Sequence, residues 1–153
     1  MASLTLQGAT SGQVELTVPA VAGSNVLTIP AATGTVVLTA EANTFTAGQR
    51  GEITTLTDAA NIATNLADSN NFTVTLGGNR TLDNPTNIVA GQSGSIFIVQ
   101  DGTGSRTLAF GAYWDFAGGT APTLTTTANA VDRIDYIVRS STSIHAVFTA
   151  DYS

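Results

Sequence analysis

The 153-residue chain has no cysteine and no lysine, and only one histidine, one tryptophan and one methionine. Without cysteine there is neither a disulfide framework nor a thiolate metal site, so stability rests on packing, hydrogen bonding or association between chains. Without lysine, the positive side consists of five scattered arginines, Arg50, Arg80, Arg106, Arg133 and Arg139, against eleven acidic residues. A net charge of −6 with no basic cluster argues against binding a phosphate backbone. Long apolar runs are missing as well. Segments such as "SIFIV", Ser95 to Val99, fall far short of the roughly 20 residues of a bilayer helix. The start "MASLTLQG" lacks the basic-then-apolar pattern of a secretory signal. Neither nucleic acid nor membrane is expected as a partner.

What is present favours strands. Threonine suits a pleated, half-buried surface, and fifteen glycines supply turns. The first forty residues repeat themselves: "LTVPAVAG" from Leu16 returns eleven residues later as "LTIPAATG" from Leu27, and "VLT" recurs at Val26 and Val37. In "QVELTV" the alternation puts Val14, Leu16 and Val18 on one face, and "NVLTIP" repeats the plan with Leu27 and Ile29. Proline ends each pass and glycine reverses the chain. So few short strands cannot bury a core alone, so the repeat needs a second surface, from this chain or from copies of it. Val14, Leu16, Val18, Leu27, Ile29 and Leu38 are therefore the candidate interface residues.

Residues 41–57 read as a connector. After it, "TDAANIATNLADSNN" offers Thr57 or Asp58 as N-cap and Ala59, Ile62, Ala63 and Leu66 at three- and four-residue spacing. That spacing predicts one short helix of about ten residues. From Asn71 onward come strands: "FTVTL", then "SIFIVQ" and "RTLAF" around the turn "DGTGS", then "RIDYIV" and "IHAVF" around "RSSTS". The expected fold is mainly β: an N-terminal β-arm over 1–40 and a β-sandwich or jelly-roll-like domain over 58–153 carrying that helix.

Chemistry has little to work with, and no cofactor or metal is implied. His145 lies in a terminal strand without an evident nucleophile, and reads as an outward-facing residue. "DGTGS", Asp101 to Ser105, lacks the lysine of a phosphate-binding loop and the glutamate of a calcium loop, and reads as a hairpin turn. Asp132 and Asp135 have the residue types of a glycosidase pair, but three residues apart on a strand they point to opposite faces. "AYWDF", Ala112 to Phe116, is open to two readings: core or interface packing, or a ligand surface in which Tyr113 and Trp114 stack on a sugar. "NFT" and "NRT" fit the N-glycosylation pattern, with nothing else pointing to a secretory route.

The stretch "GATSGQVELTVPAVAGSNVLTIPAATGTVVLTA", Gly8 to Ala40, resembles a segment that recurs in phage tail-fibre and other virion proteins. "ANTFTAGQRGEITTL" and the run from "NFTVTLGGNRTL" to "FGAYWDF" resemble modules of phage and prophage structural proteins. The resemblance implies a non-enzymatic virion protein, commonly a homotrimer. Small arm, compact domain and acidity fit a head decoration, or cement, protein that clamps the major capsid protein at capsomer joints. The other expectation is a short tail fibre or adhesin that recognises a host glycan. A depolymerase is disfavoured, because its carboxylates are few and the usual long parallel β-helix repeat is absent.

Overall fold

The structure is a computed structural model that describes residues 3–7, 10–17 and 44–152. The chain divides into two units, Met1–Thr44 and Phe45–Ser153. In the first, β1 (Ser3–Gln7) and β2 (Gln13–Thr17) pair antiparallel, with Leu4 opposite Leu16 and Leu6 opposite Val14. Gly12 at the turn has φ 79°, a left-handed conformation that glycine adopts without penalty. The expected strand "QVELTV" is thus half of a hairpin whose other half is "SLTLQ". Val18, Leu27, Ile29 and Leu38 lie outside the described residues.

The second unit is mainly strand and turn, as the composition indicates, with one short 3-10 helix at Ala117–Gly119. It contains β3 (Ile53–Thr55), β4 (Asn61–Ile62), β5 (Asn71–Leu76), β6 (Arg80–Leu82), β7 (Ser93–Gln100), β8 (Leu108–Phe110), β9 (Trp114–Phe116), β10 (Val131–Ser140) and β11 (Ser143–Thr149). These form a six-stranded sheet, in the order β3-β5-β7-β10-β11-β9, and a three-stranded sheet, β4-β6-β8. The two sheets share one core. Phe72, Val74, Ile96, Ile98 and Ile134 from the large sheet meet Ile62, Leu82 and Leu108 from the small one. Burying each such side chain contributes about 1.5–3 kcal/mol.

The order in which the chain visits the two sheets is the unexpected feature. β3, β5 and β7 are parallel neighbours, and so are β4, β6 and β8, so the chain passes from one sheet to the other and back three times. One turn of this coil separates Ile53 from Asn71 and Asn71 from Ser95; an isolated parallel bridge, Asn65 to Thr86, marks a third column. The sandwich therefore contains a short parallel coil, three turns long, that no repeat in the sequence announces. β10 and β11 then close the large sheet as an antiparallel hairpin, as the "RIDYIV" and "IHAVF" alternation predicts.

Three expectations need correction. The short helix over Ala59 to Leu66 does not form. Ile62, Thr64 and Leu66 are buried while Ala59 and Ala63 are exposed, so the segment alternates with a strand's period of two. Asp58, expected as a helix cap, instead takes both Arg80 Nε and Nη2 at 2.7 Å and the Gly77 amide at 3.2 Å, joining successive turns of the coil. "DGTGS" is not a hairpin turn, because β7 and β8 belong to different sheets. It is a corner: Asp101 Oδ1 accepts from the Thr103 and Gly104 amides, and Oδ2 pairs with Arg106 at 2.7 Å. Buried Gln100 clamps the corner by accepting from the Arg106 amide and donating to its carbonyl. Within 41–57, read as a connector, β3 forms the sheet edge and Leu56 is buried in the core.

Other corners are held the same way. Asn65 Oδ1 accepts from Asn87 Nδ2 at 2.7 Å, Asn79 Oδ1 from the Thr107 amide at 3.1 Å, and Gln92 Nε2 donates to the Leu66 carbonyl at 2.7 Å. Each polar side chain satisfies backbone or side-chain groups that a bend removes from the ladder.

Candidate functional site

The inward faces of β10 and β11 carry Ile134, Tyr136, Val138, Ile144 and Ala146, all buried. Alternation then sends Asp135, Ile137, His145 and Val147 outward. The register sets them in rows. Ser93, Ile137, His145 and Asp115 follow one another across β7, β10, β11 and β9; Ser95, Asp135 and Val147 form the next row. Ile137 is 51% exposed and Val147 64% exposed, and the two lie diagonally adjacent on the outer face of the sheet. Together with Phe116 and Ala117 they line a shallow depression of about 460 Å³.

Charged and polar groups frame this patch. Ser95 Oγ donates to Asp135 Oδ1 at 2.6 Å, Arg133 pairs with Asp135 at 2.8 Å, and Ser143 Oγ donates to Asp115 Oδ2 at 2.6 Å. The Arg133 guanidinium also lies 4.9 Å from the centre of the Tyr152 ring, a cation–π distance. His145 is an outward strand residue, as its alternation predicts. Sequence reading missed Ile137 and Val147 as surface residues. The available signal was an apolar residue at a register position that the alternation assigns to solvent.

The aromatic segment packs against the core. Trp114 is only 6% exposed; its Nε1–H donates to the Asp83 carbonyl at 3.1 Å, and its ring meets Tyr136 edge-on at 6.0 Å. It is therefore largely enclosed by the core. Tyr113 is half-buried against the core, its amide donating to Asn84 Oδ1 at 2.9 Å. Phe116 packs edge-on against Phe110 at 4.8 Å. Phe110, Gly111, Ala112, Trp114, Phe116 and Gly119 border a second depression of about 250 Å³.

The carboxylates are engaged structurally. Asp132 is 1% exposed and accepts from the Thr125 amide at 2.8 Å and the Asp151 amide at 2.9 Å, while Asp135 lies on the outer face. The two thus point to opposite sides of β10, as their spacing predicts. The guanidiniums of Arg80 and Arg106 hold the Asp58 and Asp101 carboxyls below the usual range. Burial pushes the Tyr136 phenol up to about 12. Among the described residues no group of three or more His, Asp or Glu side chains converges as a metal site.

The candidate arm residues Val14 and Leu16 lie on β2, opposite Leu6 and Leu4 in the hairpin register. No family model, no curated protein and no solved structure matches this chain.

Proposed function

We propose that this chain is a non-enzymatic structural protein of a phage virion, a head decoration protein that acts as a homotrimer against the major capsid protein. The observation that carries the reading is the outer face of the six-stranded sheet, where exposed Ile137 and Val147 form an apolar centre within a charged frame. Such a patch gains free energy when another protein surface covers it. The carboxylates support the same reading from the other side, since Asp58, Asp101, Asp132 and Asp135 are committed to holding the fold. The arm resembles virion segments in its repeat, and the acidity of the chain suits the outside of a shell better than its DNA-facing side.

Removal of residues 1–40 tests the division of labour. The truncated protein keeps its folded second unit and loses attachment to purified heads. Attachment that survives the truncation contradicts the role of the arm.

A short tail fibre is the second reading. It is favoured by the parallel coil, whose first turn puts β3 and β4 at the edges of their sheets among the described residues, where further turns can be added. In that reading the glycan site is the depression bordered by Phe110, Trp114 and Phe116, and loss of host-cell binding on Phe116→Ala tests it.

A further inference from the structure

We propose that the outer face of the six-stranded sheet is the surface on which copies of this chain meet, with Arg139 of one copy against Asp115 of the next. The inference rests on the reading that the protein self-associates, and it assigns that association to named residues of the second unit.

The face is apolar at its centre, with a negative charge on the β9 edge and a positive charge at the end of β10. Ile137 and Val147 supply the centre, diagonal to each other across β10 and β11, with His145 directly opposite Ile137. Asp115 stands at the β9 margin, exposed and, among the described residues, bonded only to Ser143 Oγ. Arg139 stands at the end of β10, exposed and without an ion-pair partner among the described residues. Strand spacing and rise place the α-carbons of Arg139 and Asp115 roughly 12 Å apart. They flank the apolar centre without joining each other.

This arrangement selects its partner. In a chain of net charge −6, most surfaces of another copy repel Asp115, and the one suited to meet it is a surface that brings an arginine. The same face supplies Arg139. Where two such faces meet, the β9 edge of one copy lies over the end of β10 of the next, which joins the two charges and covers Ile137 and Val147. A closed contact of this kind covers an apolar sheet face that otherwise invites open-ended association.

The test is the mass of the full chain in solution by light scattering, with tryptophan emission as the check on folding. Wild type is expected as an oligomer. Ile137→Asp with Val147→Asp gives a folded monomer, Arg139→Asp and Asp115→Arg each weaken association at least tenfold, and the two charge changes combined restore it. Restoration is the decisive arm, because a face built for the capsid protein or a glycan has no reason to recover. A monomeric wild type overturns both the self-association reading and the face. An oligomer that survives Ile137→Asp with Val147→Asp overturns the face alone and leaves association to the arm. Weakening by both single charge changes without recovery in the combination overturns the Arg139–Asp115 contact.

Discussion

The Tyr136 hydroxyl, on β10, donates to the Asn70 carbonyl at 2.9 Å, and the same oxygen accepts the Ser95 amide at 3.2 Å. One carbonyl at the bend before β5 is thereby tied both to the parallel coil and to the antiparallel hairpin that closes the sheet. Tyr136→Phe keeps the ring and its contact with Trp114 but removes one of the two donors, which costs about 1 kcal/mol in chemical denaturation.

The same residue sets an alkaline limit. With the folded phenol raised to about 12 from an ordinary 10, the unfolded chain releases its proton first. The stabilisation is fully present below pH 10 and is lost as pH rises towards 12. Denaturation midpoints measured across that window fall in wild type, and fall less in Tyr136→Phe.

Gly94 is the residue that lets Asn70 approach. A Cβ there would collide with the Asn70 carbonyl oxygen and press on the Tyr136 hydroxyl. Gly94→Ala therefore displaces β7 from the bend and costs on the order of 3 kcal/mol. Gly102→Ala, where nothing lies within 4 Å, leaves the midpoint within about 0.5 kcal/mol of wild type.

Trp114 is a core residue and reports on the core. As the single tryptophan, it emits at short wavelength in the folded protein and shifts red on unfolding. Trp114→Ala opens a cavity and costs about 3–5 kcal/mol. Trp114→Phe chiefly forfeits the bond to Asp83 and costs about 1 kcal/mol. Loss of ligand binding in Trp114→Ala, if accompanied by loss of cooperative unfolding, is thus a folding effect.

Acid acts on the corners of the coil. The folded carboxyls of Asp58 and Asp101 are depressed below 3.8 by Arg80 and Arg106. Their contribution is present above that value and is lost as pH falls through the lower folded values. Thermal melts therefore drop below about pH 4. The variant with Asp58→Asn and Asp101→Asn melts lower at neutral pH and loses less on acidification.

The strands with long alternation were legible in the sequence. Phe72, Val74 and Leu76, or Ile134, Tyr136 and Val138, leave no other reading, because a two-residue period has one buried face. The hairpin of β10 and β11 followed from two such runs in succession. The coil was not legible, since parallel pairing joins Phe72 to Ile96 through corners held by single side chains, with no repeated motif. The misread helix shows the ambiguity in miniature. Ile62 and Leu66 are four apart, which suits a helix turn and two strand steps equally; buried Thr64 between them decides for the strand, and its polarity hid the fact. For the candidate site, the aromatic cluster in "AYWDF" drew attention by residue type, while Ile137 and Val147 look ordinary until the register places them outside.

The most direct test of the virion assignment is immunogold electron microscopy of intact particles with an antibody to residues 71 to 153. Label spread over the head is the predicted result. Particles that carry no label, while the protein is abundant in infected cells, would contradict the assignment, and label confined to the tail tip would replace decoration by the fibre reading.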